Sequence, residues 1–390
     1  MIRFLLAGCL TVSVWAQPWL RHTIDNTSLG ADGVRLADVD GDGLLDIATA
    51  WEEGGEVRIY RNPGPPKAKD PWPRVTVGRV RSPEDAVFTD LDGDGTYEVV
   101  SSCEGSQRTV FLHWPPGLGQ DYWKADGWTT RPVEVSRGRM RWMFAAPGEI
   151  GVAVALFAGG KQQGGEIGWF EIPGDPPRTD EWRWHPLRPA GWVMSLIPKD
   201  MDGDGDVDLL FSDRKGVRTG VYWLENPGSE ASAAWKQHLV GAAGREVMFL
   251  DAVDLDGDGL EDVLAAVRPR EIQWFRRLDG SGMRWEPEVI SIPPVAGTAK
   301  AVKAADLDGD GRLEIVFSCE RAAGNLEGVM YLSPGRPGPR AWEPHSLSGP
   351  EGVKFDLIQI LDLDGDGDLD VLTCEERTNL GVIWYENPRR

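Results

Sequence analysis

Along most of the chain short apolar runs recur in a fixed order, and nowhere do apolar residues fall at the three- and four-residue spacing of an amphipathic helix. One cycle shows the order. A continuous run, Val263-Leu264-Ala265-Ala266-Val267, is followed by a turn and then by an alternating segment that ends in aromatics, Ile272-Gln273-Trp274-Phe275. After a polar link comes Trp285-Glu286-Pro287-Glu288-Val289-Ile290, and a further run, Ala301-Val302-Lys303-Ala304-Ala305, leads into the next cycle. Extended segments of this length, bounded by Gly, Asp and Pro, are predicted to be β-strands, and a chain made of them is all-β.

Each cycle is punctuated by one nonapeptide, D-x-D-G-D-G-x-x-D/E, beginning at Asp38, Asp90, Asp200, Asp254, Asp306 and Asp362. Successive starts lie 52, 110, 54, 52 and 56 residues apart. The long interval therefore holds one unit that has lost its acids, visible at Arg141-Trp142-Met143-Phe144-Ala145-Ala146-Pro147-Gly148. Six intact units and one degenerate unit, with four strands in each, predict a seven-bladed β-propeller with four-stranded blades. The last unit stops after its third strand, at Ile383-Trp384-Tyr385-Glu386-Asn387-Pro388, whereas Trp19-Leu20-Arg21-His22-Thr23-Ile24 reads as a fourth strand without its unit. This N-terminal strand is predicted to complete the last blade, closing the ring and covering an open sheet edge.

The nonapeptides carry the strongest chemical signal. Carboxylates at loop positions 1, 3, 5 and 9 and a backbone carbonyl at position 7 can converge on one hard cation, and glycines at 4 and 6 permit the tight turn this needs. An all-oxygen donor set in a flexible loop favours Ca²⁺ over Mg²⁺, and zinc would call for His or Cys. The expected ligands are Asp38, Asp40, Asp42, Leu44 and Asp46; Asp90, Asp92, Asp94, Thr96 and Glu98; Asp200, Asp202, Asp204, Asp206 and Asp208. The other three loops supply Asp254, Asp256, Asp258, Leu260 and Asp262; Asp306, Asp308, Asp310, Arg312 and Glu314; and Asp362, Asp364, Asp366, Asp368 and Asp370, for up to six Ca²⁺. The formal net charge of −21 is the loops' own: they contain 27 acidic residues, and the balance outside them is +5. Nothing suggests nucleic acid as a partner, because no basic stripe is interleaved with stacking aromatics.

An acidic loop of this form between two strands, repeated at a period near 54, resembles the VCBS/FG-GAP repeat family, the propellers of integrin α-subunits and of many secreted bacterial proteins. The resemblance covers essentially all of residues 17–390 and implies a calcium role for the loop positions named above. It also implies that each loop joins the first and second strands of a blade on the lower face. The Phe-Gly and Gly-Ala-Pro signatures of integrin-like members do not occur. A weaker resemblance, to the propeller of fungal aldos-2-ulose dehydratase, implies sugar chemistry.

Residues 1–16 have the layout of a signal peptide: Arg3, an apolar stretch from Phe4 to Trp15, and Val14-Trp15-Ala16 as a small-x-small cleavage site. The expectation is a secreted protein, extracellular or periplasmic, with no transmembrane segment and a propeller over 17–390. Leu6-Ala7-Gly8-Cys9 also matches a lipoprotein box. Cys103, Cys319 and Cys374 each precede a Glu at one repeat position, too far apart for bridging, and are expected to be buried free thiols.

If the acidic loops occupy one face, the opposite rim is built from turns between second and third strands and from links between blades. The candidate ligand-binding residues there are Trp51, Glu84, Asp85, Arg141, Trp142, Trp192, Arg245, Glu246, Lys300, Lys303 and Lys354. Aromatic faces beside carboxylates and guanidinium groups suit a sugar, whose apolar face stacks while its hydroxyls find polar partners. Twelve other tryptophans and four of the five histidines recur at fixed repeat positions, as packing residues do, whereas Trp51, Trp123, Trp142 and Trp192 break the pattern. A nucleophile system therefore lacks its histidine base. Glu84 or Glu246 with Lys300 or Lys303 could still support acid/base elimination. The reading is a calcium-binding propeller acting as a ligand-binding module for carbohydrate or a cell-surface protein. The alternative is a lyase or dehydratase with its site in the central funnel.

Overall fold

Every apolar run of the repeat cycles read above forms a strand. The computed structural model describes residues 17–117, 119–228, 234–335 and 341–389, so the expected signal segment with its Cys9 box lies outside the described residues. Among these, 28 strands form seven four-stranded antiparallel sheets. The innermost strands of blades 1 to 7 are Ala31–Ala37, Pro83–Thr89, Arg141–Ile150, Val193–Lys199, Val247–Val253, Thr298–Ala305 and Phe355–Leu361. Each acidic loop joins such a strand to the second strand of its blade, and the loop's ninth residue is the first residue of that second strand, as in Asp46–Trp51 and Asp370–Glu375.

The second strands of blades 1, 2, 4, 5 and 7 are buried at every position. A strand sandwiched between neighbouring blades has no solvent face, which is why the sequence shows a continuous run there rather than alternation. Outer strands keep one wet side, as in Trp285–Ser291. The third-strand tryptophans pack between blades as expected. Trp223 Nε1 donates to Gly282 O of blade 5 (3.1 Å), and Trp384 Nε1 to Ala68 O of blade 1 (3.2 Å). His22, His185 and His238 stack on Trp384, Trp169 and Trp223 at 4.4, 4.2 and 4.3 Å and meet Glu386, Glu171 and Glu225 through Nε2. These histidines hold outer strands to third strands and lie away from the channel. His113 is buried between Ser101 and Thr130.

The ring closes as the strand count required. Leu20–Asp25 pairs antiparallel with Gly381–Glu386, Leu20 opposite Glu386 and His22 opposite Trp384, so both ends of the chain share blade 7. In the degenerate blade 3 the nine-residue loop is replaced by a two-residue hairpin turn, Gly151-Val152, and pairing runs out to Ile150 opposite Ala153. Gly151 has φ 62°, which suits the first position of such a turn. The three cysteines are buried and unbridged. By loop count Cys374 sits one residue earlier than Cys103 and Cys319, so the three do not share one register. No helix among the described residues is long and apolar enough to cross a membrane.

All seven inner strands carry a one-residue irregularity near their start. Asp32 pairs with Ala50 but Arg35 with Ala48; Pro83 pairs with Cys103 but Asp85 with Ser102. The same shift occurs in the other five blades. In a regular strand residues three apart face opposite ways, and one extra residue brings them to the same side. Residues six and three places before an acidic loop can therefore both reach the central channel, as Asp32 and Arg35 and Lys300 and Lys303 do.

Adjacent blades leave no room for a Cβ where a glycine faces an aromatic ring. A Cβ on Gly328 would lie 1.9 Å from Phe355 Cε2 of the next blade. Gly328→Ala is expected to cost about 1–3 kcal/mol of stability, measured by equilibrium denaturation.

Candidate functional site

Counting from the start of each acidic loop, two positions build the funnel opposite the loops. Six residues before the loop, on the inner strands, stand Asp32, Glu84, Met194, Lys300 and Asp356; Met248, at the same count in blade 5, is fully buried and Phe249 lines the cavity there. Fourteen residues after the loop start, at or just past the ends of the second strands, stand Glu52, Glu104, Arg214, Arg268, Glu320 and Glu376. The backbone holds this outer ring. The N–H groups of Glu52, Glu104, Arg214, Arg268 and Glu376 donate to the carbonyls of Gly30, Ser82, Trp192, Glu246 and Lys354, 2.7–3.0 Å away.

These rings enclose a cavity of about 390 Å³. Met143, Phe144, Met194 and Phe249 form its floor, and Phe144 meets Phe249 edge to face at 5.2 Å. Met194 and Phe249 also border a second space of about 340 Å³ toward the loop side, lined by Arg35, Asp251, Lys303 and Gln359, so the apolar layer divides the channel in two. The acids of the upper cavity concentrate on one side. Blades 7, 1 and 2 supply Asp356, Glu376, Asp32, Glu52, Glu53, Glu84 and Glu104 together with the bases Lys354 and Arg377; blades 3 to 6 supply Lys161, Arg214 and Lys300 together with the acid Glu320. Lys161 pairs with Glu104 and lies 3.7 Å from Glu84, Lys300 pairs with Asp356, and Lys354 pairs with Glu376. Lys161 Nζ, Arg214 Cζ and Lys215 Nζ lie 4.5, 4.3 and 4.8 Å from the centre of the half-buried Trp192 ring.

Burial and crowding of carboxylates shift their protonation. Burial, reinforced by Glu104 and Glu376, pushes Glu52 up to about 7. Burial outweighs the Lys161 charge and, with Glu104 and Glu52, pushes Glu84 up to about 8. Asp32 is raised by burial and by the Asp356 and Glu84 charges. Asp356 is held below the ordinary carboxylate value, because against its burial it has the Lys300 ammonium and a hydrogen bond from Asp32. At neutral pH the acidic arc therefore retains protons that it could donate. One carboxylate oxygen each from Glu52, Glu84 and Glu104 lies within 4.8 Å of the others, and the same holds for Asp32, Glu52 and Glu376.

The candidates read from sequence divide among several places. Glu84, Trp192, Lys300 and Lys354 meet in the upper cavity. Glu246 borders an adjoining cavity with Arg214 and Arg268. Lys303 lies below the floor, 3.2 Å from Asp251. Asp85 is buried, accepting from Arg35 Nε (2.9 Å) and Ala145 N (3.1 Å). Arg245 turns away to Glu271 (2.8 Å), and Arg141 lies opposite Lys161 in register and borders neither cavity. Two aromatics are corrected outright. Trp51 is fully buried with Nε1 on Tyr60 (2.9 Å), and Trp142 is fully buried with Nε1 on Ser136 O (3.1 Å). Both end in blade cores because each stands at an inward-facing strand position. Sequence reading passed over Asp32 and the floor residues Met194 and Phe249. The signal for Asp32 was its shared register with Glu84 and Lys300.

The acidic loops share one geometry. In all six, position 1 accepts the N–H of the second glycine, as Asp38 does from Gly43 (3.0 Å) and Asp254 from Gly259 (2.9 Å). Position 5 accepts the N–H of position 7, and position 9 that of position 2, as in Val39 N to Asp46 (3.2 Å). Both glycines have positive φ in every loop, for instance 72° and 84° at Gly41 and Gly43. Carboxylate oxygens of Asp38, Asp40 and Asp42 lie within 4.8 Å of one another, as do those of Asp90, Asp92 and Asp94 and of Asp200, Asp202 and Asp208. Hard oxygen donors at this separation fit a divalent cation such as Ca²⁺. In four loops a base also reaches position 3: Arg61 to Asp40, Arg276 to Asp256, Arg389 to Asp308 and Lys69 to Asp364, at 2.7–3.0 Å.

Glu84 carries a pH signature. Its folded value of about 8 exceeds the 4.5 of a free glutamate, so the stability it contributes is complete below about pH 4.5 and is lost as pH rises through about 8. Glu84→Gln cannot ionise and is expected to flatten the fall in Tm between about pH 5 and 8, measured by thermal melts across that range.

The comparisons agree with this geometry. The FG-GAP-like repeat matches at residues 38–101, 200–265 and 254–317, each span holding at least one acidic loop and its second strand. A search of curated protein sequences finds no match. Among solved structures the chain is similar to BBS1N, crystallised in complex with ARL6DN, at 10% identity over 96% of this chain and 98% of that one, with a TM-score of 0.52. It is also similar to luciferin-regenerating enzyme, at 12% identity over 86% and 99%, with a TM-score of 0.45. At such identities the first likeness concerns the fold alone, and the second is too loose to bear on it. Seven blades on one plan, with the repeat matched in three places, make this chain a seven-bladed β-propeller of FG-GAP-like repeats.

Proposed function

We propose that this propeller, with Ca²⁺ held in its six acidic loops, is an exported ligand-binding module whose upper funnel takes a saccharide. The observation that carries the reading is the funnel itself. It is closed below by Met143, Phe144, Met194 and Phe249, walled by carboxylates and lysines, and has the indole of Trp192 at its side. A pyranose has one apolar face and a rim of hydroxyls, and such a pocket offers stacking for the first and donors and acceptors for the second. A concave pocket of this size fits a small ring better than the broad face of a cell-surface protein. Export is supported by the layout of residues 1–16. Calcium is supported by the loop geometry and by burial, which pushes the position-9 acids Asp46, Asp208 and Asp370 up to about 7 and Glu98 to about 8. A dry carboxylate beside three others needs a compensating cation.

A second reading, a lyase or dehydratase, is favoured by one observation. Glu84 and Glu52 hold protons near neutral pH in a cavity also lined by lysines, the arrangement acid/base elimination requires.

Chelator is expected to lower Tm by on the order of 5–10 °C and added Ca²⁺ to restore it; an unchanged melt would sink the metal assignment. A glycan and polysaccharide screen of the calcium-loaded protein, read for binding and for ultraviolet-absorbing unsaturated products, separates the two readings. Binding without product is expected, and product would replace the module by the enzyme. Trp192→Ala is expected to weaken saccharide binding at least about tenfold, roughly 1.4 kcal/mol, with Tm nearly unchanged.

A further inference from the structure

The rim beside the funnel over blades 4 to 6 has a charge opposite to that of the chain as a whole. Arg214 and Arg268 both donate to the same oxygen of Glu246, at 2.7 and 2.9 Å, and Arg268 also reaches Glu320 at 2.5 Å. The next residues in those turns, Lys215 and Arg321, are exposed, and Arg321 comes no nearer than 4.0 Å to Glu320. Four cations thus face two carboxylates around a cavity of about 310 Å³. Arg214 borders both this cavity and the funnel, so the two adjoin. At the junction the guanidinium of Arg214 lies over Trp192, whose Nε1 is shielded from solvent and has no hydrogen-bond partner.

The chain's excess of acid lies in its six loops on the other face, so a local excess of positive charge beside the funnel favours anions there. Guanidinium forks match the planar oxygens of a carboxylate, and they serve a sulfate equally well. From this juxtaposition we infer that the funnel's ligand is an anionic saccharide. Its carboxylate or sulfate lies over Arg214, Lys215, Arg268 and Arg321, its ring lies against Trp192, and its hydroxyls reach the carboxylates of blades 7, 1 and 2. The inference rests on the saccharide reading and adds the charge of the ligand and its direction in the site.

The test is titration calorimetry on the calcium-loaded full chain with three probes: an oligouronide, the same oligomer with its carboxyl groups reduced to alcohols, and a sulfated oligosaccharide. The acidic probe is expected to bind at least about tenfold tighter than its neutral counterpart, with an advantage that shrinks as salt rises. In the double variant Lys215→Ser, Arg321→Ser, whose altered side chains are solvent-exposed, the ratio of the two affinities is expected to fall toward one. Whether the uronide or the sulfated probe binds decides which group the arc takes. Equal binding of acidic and neutral oligomers, unchanged in the variant, would overturn the inference and leave the saccharide reading intact. Failure of every saccharide to bind would overturn both.

Discussion

One buried carboxylate, the ninth loop residue, ties the strands together in four of the six intact blades. Asp46 takes a backbone N–H from Val39 in its own loop and another from Asn62 beyond the third strand. Asp208, Asp262 and Asp370 make the same two bonds with Met201 and Asn226, with Leu255 and Arg277, and with Leu363 and Asn387. A single side chain thus fixes the ends of three strands. The second strand that begins at this carboxylate is buried along its length and ends at the ring residue of the funnel. Six residues of strand span roughly 20 Å, so a rigid rod connects the loop face to the site.

That connection explains how one frame carries a varied site. Registers, bulges and backbone hydrogen bonds repeat from blade to blade, while the side chain at each funnel position is free to change. At one position Asp32, Glu84, Met194, Lys300 and Asp356 follow each other around the ring; at the other, acids in blades 6, 7, 1 and 2 give way to arginines in blades 4 and 5. The chemistry is written in substitutions on a constant scaffold, and the scaffold alone does not name it.

The same distinction governs what could be read in advance. Strands, blade number, ring closure and the degenerate blade were legible because each depends on local periodicity and on a motif at fixed spacing. The split between Lys300 and Lys303, three residues apart yet on opposite sides of the apolar floor, was not legible. It depends on an extra residue in the inner strand, which no local pattern marks. Trp51 and Trp142 misled for a related reason. Irregular placement in the sequence suggested a surface role, but both stand where the strand turns side chains inward, and a large ring fills the space between blades. Trp192 shares the irregularity and differs only in following the link rather than lying within the strand.

Ring closure sets the order in which the molecule can be assembled. Blades 1 to 6 are each formed from one contiguous stretch, so their sheets need only neighbours close in sequence. Blade 7 joins His22 to Glu386, a separation of 364 residues. A chain emerging from its N-terminus makes this outer strand first and its partner last. Until synthesis is nearly complete, Leu20–Asp25 must stay extended and unpaired, and the final pairing is the one step that bears the entropy of closing the whole chain.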